Sequence, residues 1–235
     1  MKAPRTIAVG DIHGHAAALA ALVAAIQPQP DDTLVFLGDY VDRGPDSRGV
    51  LNQLIELSQR LTVVALMGNH EESMLAARKR PSNLDFWLSP VCGGLTTLES
   101  YGPAQDLSLI PAQHFRFLEG LRRYHETDTH FFIHANYAPN WRLEQHDSRT
   151  ALWLDLKDRP GPHYTGKTAI VGHTPQMDGR ILDLGYLKCI DTGCGFGGLL
   201  TALDVVGGQI WQADEAGRVV APSTIRLVDS RIPTT

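Results

Sequence analysis

The sequence predicts an α/β fold in which two β-sheets pack as a sandwich flanked by helices, all within a single domain spanning residues 1–235. Three observations lead there. Three short β-rich runs in the first third are each followed by a polar cluster and then a helical pattern; the second half returns to strands with few helices; and no internal repeat or linker divides the chain.

Taken in order, the β-rich runs are Thr6 to Val9, Thr33 to Leu37 and Thr62 to Leu66. The intervening segments HAAALAALVAAI, SRGVLNQLIELSQ and EESMLAARK read as helices, so the first third follows βαβ logic with a parallel sheet. From Pro81 to about Glu119 the text turns irregular, with one short helix expected around Ala112 to Leu121. It reads as a cap or insertion over residues 81–120, the kind of loop-rich addition that often contacts substrate. Strands resume at His130 to His134, Ala169 to Val171, Leu187 to Ile190, Leu200 to Val205 and Gln209 to Trp211, a run that suggests a second sheet.

Composition narrows the function. At 235 residues and 43% hydrophobic, the chain is long enough for one substantial core. A net charge of -5 without Lys/Arg runs offers no footprint for nucleic acid or an anionic membrane. No apolar run approaches the ~20 residues needed to span a bilayer, and the N-terminus lacks the apolar stretch of a signal peptide. Cys92, Cys189 and Cys194 are odd in number and form no CxxC pair, so neither a disulfide framework nor a thiolate zinc site is expected, and a reducing cytoplasm fits.

Polar clusters sit just past the strands: GDIHG (Asp11, His13), GDYVDRG (Asp39, Asp42, Arg43), GNHE (Asn69, His70, Glu71), FFIHAN (His134) and IVGHTP (His173). Carboxyl ends of parallel strands converge on one crevice, so the clusters are expected to meet. Carboxylate, imidazole and amide without thiolate form a donor set for Mn(II), Fe(II) or Zn(II). Asp11 and His13 can reach one ion, Asn69, His134 and His173 another, and Asp39 can bridge both; the cations then balance the buried carboxylate.

These motifs resemble the metal-dependent phosphoesterases with the calcineurin-like fold, and within them the bacterial serine/threonine phosphoprotein phosphatases. The likeness runs from GDIHG to IDTGCGFGGLLTALDV. It implies two divalent metals, Mn(II) first with Fe or Zn as alternatives. On that resemblance, Asp11, His13 and Asp39 would hold one, and Asp39, Asn69, His134 and His173 the other, the pair of ions serving to activate water for attack on phosphorus. The same resemblance implies that His70 would protonate the leaving group, Asp42 would orient His70, and Arg43 would grip phosphate oxygens. The implied substrate is a phosphoprotein or phosphopeptide carrying phosphoserine, phosphothreonine or phosphotyrosine. Glu71 either buttresses the site or caps the following helix.

Two departures concern substrate binding. Met67 stands where many relatives place an arginine before GNHE, and Leu154 and Asp155 follow Trp153 where an arginine is common. Arg149, Lys157, Arg159 and Lys167 are the nearby cations that can substitute, although each reads first as a solvated surface charge. The segment WLSPVCGGLTTLESYG resembles a tryptophan and double-glycine region of bacterial members. None of the cysteines has an arginine six residues on, which argues against a cysteine-dependent phosphatase. The alternative activity is hydrolysis of a dinucleoside polyphosphate such as diadenosine tetraphosphate. That branch tends to carry Ala at the Asp42 position and GNHD in place of GNHE. An idle binding scaffold is disfavoured because His70, Asp42 and all six implied ligands are present.

Overall fold

Side-chain alternation decides how the layers stack. In β1 (Thr6–Val9), Ile7 and Val9 join the core under the helices, while Ala8 faces the opposite way into a second apolar layer. β2 (Thr33–Phe36) repeats this, with Leu34 and Phe36 toward the helices and Val35 toward the second layer. Residues two apart share one face of a strand, so a run apolar at every position must be covered on both sides. The same rule holds across the molecule. In β5 (His130–Ile133), Phe132 meets Val35 and Ile170 in the layer between the sheets, and Phe131 and Ile133 pack into a third cluster outside.

The computed structural model describes residues 3–157, 159–220 and 228–229. The first sheet has the order β10-β9-β1-β2-β3, where β3 is Thr62–Ala65, β9 is Leu199–Asp204 and β10 is Ile210–Asp214. β1, β2 and β3 run parallel, Thr6 pairing with Thr33 and Thr33 with Thr62; β9 and β10 are antiparallel. The second sheet has the order β11-β7-β8-β6-β5-β4, with β4 at Tyr124–Glu126, β6 at Thr168–Val171, β7 at Leu182–Asp183, β8 at Leu187–Cys189 and β11 at Val228–Asp229. β5, β6 and β8 are its parallel centre.

The helices follow their sequence signals. α1 (Ala16–Ile26) buries Ala16, Ala18, Leu19, Leu22 and Ile26 on one stripe. α2 (Ser47–Ser58) starts at an N-cap Asp46 whose side chain accepts the Gly49 N–H at 2.7 Å. α3 (Asn69–Lys79) carries Glu71 and Glu72 in its first turn and Arg78 and Lys79 in its last, the arrangement the helix dipole favours. It begins two residues before the expected start, so Asn69 and His70 lie in its first turn rather than in a loop.

Two expectations are corrected. Leu200 to Val205 and Gln209 to Trp211 do not extend the second sheet; they return to the first, where β9 pairs against β1 and β10 against β9. Residues 81–120 are more regular than expected, holding α4 (Leu84–Leu88) and α5 (Gly94–Tyr101) before α6 (Ala112–Glu119). Short helices broken by Pro90 and two glycines carry too little periodicity to register in sequence.

Candidate active site

The polar clusters do converge. Asp11 and His13 follow β1, Asp39, Asp42 and Arg43 follow β2, Asn69 and His70 open α3 after β3, and His134 and His173 follow β5 and β6. His13, Asp39, Asp42, Arg43 and His173 all take left-handed φ between 47° and 71°. Each such residue is strained by about 1 kcal/mol or more, a burden that concentrates at functional sites. Two glycines leave room for the carboxylates: a Cβ at Gly68 or Gly172 would stand 2.1 Å from Asp39 Oδ1 or Asp11 Oδ1.

Hydrogen bonds fix which ring nitrogen of each histidine faces inward. His13 Nδ1 meets the Val41 carbonyl at 3.1 Å, His134 Nδ1 the Leu37 carbonyl at 2.9 Å, and His173 Nε2 the Trp153 carbonyl at 3.2 Å. A carbonyl only accepts, so each of those nitrogens carries the proton and the other presents a lone pair. His134 Nε2 lies 3.5 Å from Asp39 Oδ1, and His13 Nε2 lies 3.5 Å from Asp39 Oδ2. Asn69 Oδ1 sits 3.0 Å from both His134 Nε2 and His173 Nδ1. Acceptors thus face acceptors. Asp11 Oδ2 takes the His173 N–H at 2.9 Å, whereas its buried Oδ1 has no partner.

A divalent cation resolves both facts, since it accepts several lone pairs at once. The donor atoms of Asp39, His134 and His173 lie within 4.8 Å of one another, as do those of His13, Asp39 and His70. Asp11 lies outside both triplets, beside them. The electrostatics agree. Burial holds His13 and His134 below the ordinary imidazole range and lowers His173 to about 4, the form that can ligate. Burial, with Asp191 and Asp39 nearby, raises Asp11. Asp39 is driven the other way: burial alone would raise it, but His134, His70, His13 and His173 together hold it below the usual carboxylate range.

His70 differs from the other three. Its Nδ1 contacts Asp42 Oδ2 at 2.8 Å, and its Nε2 faces inward 3.9 Å from Asp39 Oδ2. Burial works against its charge, yet Asp39 and Asp42 outweigh burial and raise it. His70 thus pairs its Nδ1 with a carboxylate, where the other three pair a ring nitrogen with a backbone carbonyl.

Glu71, ambiguous in sequence, both caps and buttresses: it accepts the N–H groups of Gly68, Asp39, Tyr40 and Val41. Arg43 Nη1 lies 2.9 Å from His13 Nε2, and its guanidinium sits 4.3 Å over the Phe196 ring. Met67 packs against the apolar clusters of both sheets. Lys167 binds Glu126 and the Thr127 carbonyl, at the opposite end of β5 and β6 from the site, and exposed Lys157 pairs with Asp155. Asp191, Trp87 and Thr97 were missed as site residues. Asp191 is buried, with burial raising it to about 7 beside Asp11. The DTG and double-glycine motifs were the available signals for all three. The three cysteines are free and buried.

Asp, His and Asn donors gathered at the strand ends of a two-sheet sandwich define a metal-dependent phosphoester hydrolase. The chain belongs to the calcineurin-like phosphoesterase family, whose profile matches residues 4–177. It is 34% identical over 200 residues to serine/threonine-protein phosphatase 1 of Salmonella typhimurium, a match covering 82% of this chain and 88% of that one. It is 32% identical over 146 residues to the symmetrical bis(5'-nucleosyl)-tetraphosphatase of Nitrosomonas europaea, covering 60% of this chain but only 47% of that protein. The crystal structure of a candidate diadenosine tetraphosphatase has the same fold, with a TM-score of 0.68 at 24% identity over 89% of this chain and 93% of that one. Among the described residues no helix is long and apolar enough to cross a membrane.

Proposed function

We propose that this protein is a cytoplasmic dimetal phosphomonoesterase that removes phosphate from phosphoserine or phosphothreonine, and from phosphotyrosine, in proteins. Asp11, His13 and Asp39 would hold one cation, and Asp39, Asn69, His134 and His173 the other, with Mn(II) the first choice. Bound there, the two ions would polarise the phosphoryl oxygens and make water nucleophilic at neutral pH. The remaining work falls to the chain. His70 delivers a proton from Nε2 to the departing alkoxide; Asp42 keeps Nδ1 protonated and stabilises the imidazolium. Arg43 turns its fork from His13 to the phosphoryl oxygens, the Phe196 ring steadying its planar face.

The observation that carries this reading is the His70–Asp42 contact at 2.8 Å with Nε2 aimed into the donor cluster. A poor leaving group such as a serine alkoxide needs a general acid. The near full-length match to a protein phosphatase supports the same substrate class. Hydrolysis of a dinucleoside tetraphosphate is the second reading, favoured by the relatives bearing that name. The deciding experiment adds Mn(II) to purified protein, with chelated controls. It compares phosphate release from the three kinds of phosphopeptide with cleavage of diadenosine tetraphosphate. Faster peptide turnover is expected; preference for the dinucleotide overturns the proposal.

A further inference from the structure

The helices inserted between α3 and α6 contribute two side chains to a centre otherwise built from strand ends and the first turn of α3. Asp42 is fully buried with φ of 71°, and three donors hold its carboxylate. Thr97 Oγ1 of α5 donates to Oδ1 at 2.7 Å, Trp87 Nε1 of α4 lies 3.1 Å from both oxygens, and His70 Nδ1 holds Oδ2. A carboxylate can only accept, so the Thr97 proton is committed to it. The Thr97 oxygen then accepts the Asp42 N–H at 2.8 Å and the Ser47 hydroxyl at 2.9 Å. One hydroxyl thus grips both the backbone and the side chain of Asp42.

Trp87 is also fully buried, and its N–H finds acceptors only on Asp42 among the described residues. Room for the indole comes from Gly94, where a Cβ would stand 2.5 Å from the ring. The neighbouring Gly93 offers its carbonyl to the Arg43 N–H at 3.3 Å. The motif WLSPVCGGLTT therefore presses an indole and a hydroxyl onto Asp42 and a carbonyl onto Arg43.

We infer that Trp87 and Thr97 are positioning residues that lock the Asp42 carboxylate so that His70 presents Nε2 to the leaving oxygen. With three donors, Asp42 has one orientation. With two it can turn about its side-chain bond, and the imidazole it aims turns with it. The role of residues 81–120 is then to complete the proton-donating pair. For its kinetic consequence the inference rests on the phosphomonoesterase reading.

The test uses the full chain loaded with Mn(II) and two esters that differ in need of an acid. Phenyl phosphate has a poor leaving group and p-nitrophenyl phosphate a good one. Thr97→Val and Trp87→Phe should each lower kcat for phenyl phosphate by about tenfold, a fraction of the whole general-acid effect. KM and metal content should hold, and kcat for p-nitrophenyl phosphate should change by less than about threefold. Thr97→Ser should restore the wild-type ratio. Equal losses on both esters, or none, overturn the inference, because a merely structural role has no leaving-group dependence. Should Thr97→Val not fold, Trp87→Phe carries the same comparison. A wild type that cleaves neither ester refutes the phosphomonoesterase reading alone. The inference is then decided by proton NMR of the Zn(II)-loaded protein. The downfield Nδ1 proton of His70, assigned by its loss in His70→Asn, should shift or broaden in both variants. An unchanged resonance would overturn it.

Discussion

Glu71 accepts the Tyr40 N–H at 2.7 Å, tying the first turn of α3 to the loop that follows β2. Its two oxygens also receive the N–H groups of Asp39 at 2.9 Å, Val41 at 3.2 Å and Gly68 at 3.0 Å. Four converging donors suit an acceptor-only carboxylate. Glu71→Gln keeps the shape but turns one acceptor into a donor facing backbone N–H. It should lower the unfolding free energy by about 1–3 kcal/mol, the range for stranding buried polar groups. The loop that loosens bears Asp39, so metal per chain should fall too. Urea unfolding and elemental analysis measure the two effects, and an unchanged midpoint would contradict the buttress.

Replacing His70 by Asn should leave metal content intact while reducing turnover of an alkyl phosphoester by roughly 100- to 10,000-fold, the usual weight of a general acid. The side chain makes its close contact with Asp42, and its Nε2 stands 3.9 Å from Asp39 Oδ2. A variant that hydrolyses a phosphoserine peptide at the wild-type rate would remove this role from His70.

Much of this centre was legible because its chemistry recurs at fixed places. GD, GD, GN and GH each follow a strand, and parallel strands bring their carboxyl ends together whatever lies between them. The central strands were legible for the same local reason, an unbroken apolar run such as that of Phe131 to Ile133. What stayed hidden depends on partners distant in sequence. Thr97 meets Asp42 across 55 positions, and no local pattern announces that contact. β9 and β10 read as strands, but their return to β1 rather than the second sheet is a choice between edges that periodicity does not encode. β4 and β7, of three and two residues, are too short to alternate visibly.

Among the described residues, Asp39 alone has two oxygens that face different histidines, Oδ1 toward His134 and Oδ2 toward His13, each at 3.5 Å. Asp39→Asn removes the charge and turns one of those oxygens into a donor. Occupancy of both metal positions should fall together, whereas His173→Asn should empty chiefly one. Elemental analysis after dialysis reads the stoichiometry directly. Two ions per chain retained in Asp39→Asn would refute the bridge.

Far from the centre, Arg5 and Asp32 pin the start of β1 to the turn before β2, and their ion pair carries a pH signature. Asp32 Oδ2 lies 2.6 Å from Arg5 Nη2, and the carboxylate also accepts the N–H groups of Arg5 and Gln29. Burial works to raise Asp32, but the Arg5 guanidinium and these N–H groups prevail and hold it below its ordinary value. A carboxyl depressed on folding lends stability above its unfolded pKa of about 3.9, and that stability is lost as pH falls through the folded value. Asp32→Asn should therefore unfold more easily at pH 7 by about 1–2 kcal/mol, after allowance for solvent reaching the Arg5 side. The gap to wild type should stay constant down to about pH 5 and close below about pH 4, as the wild-type carboxyl protonates. Urea midpoints of both proteins from pH 3 to 7 trace the curve. A gap that does not narrow in acid would show that Asp32 acts there through packing and not through its charge.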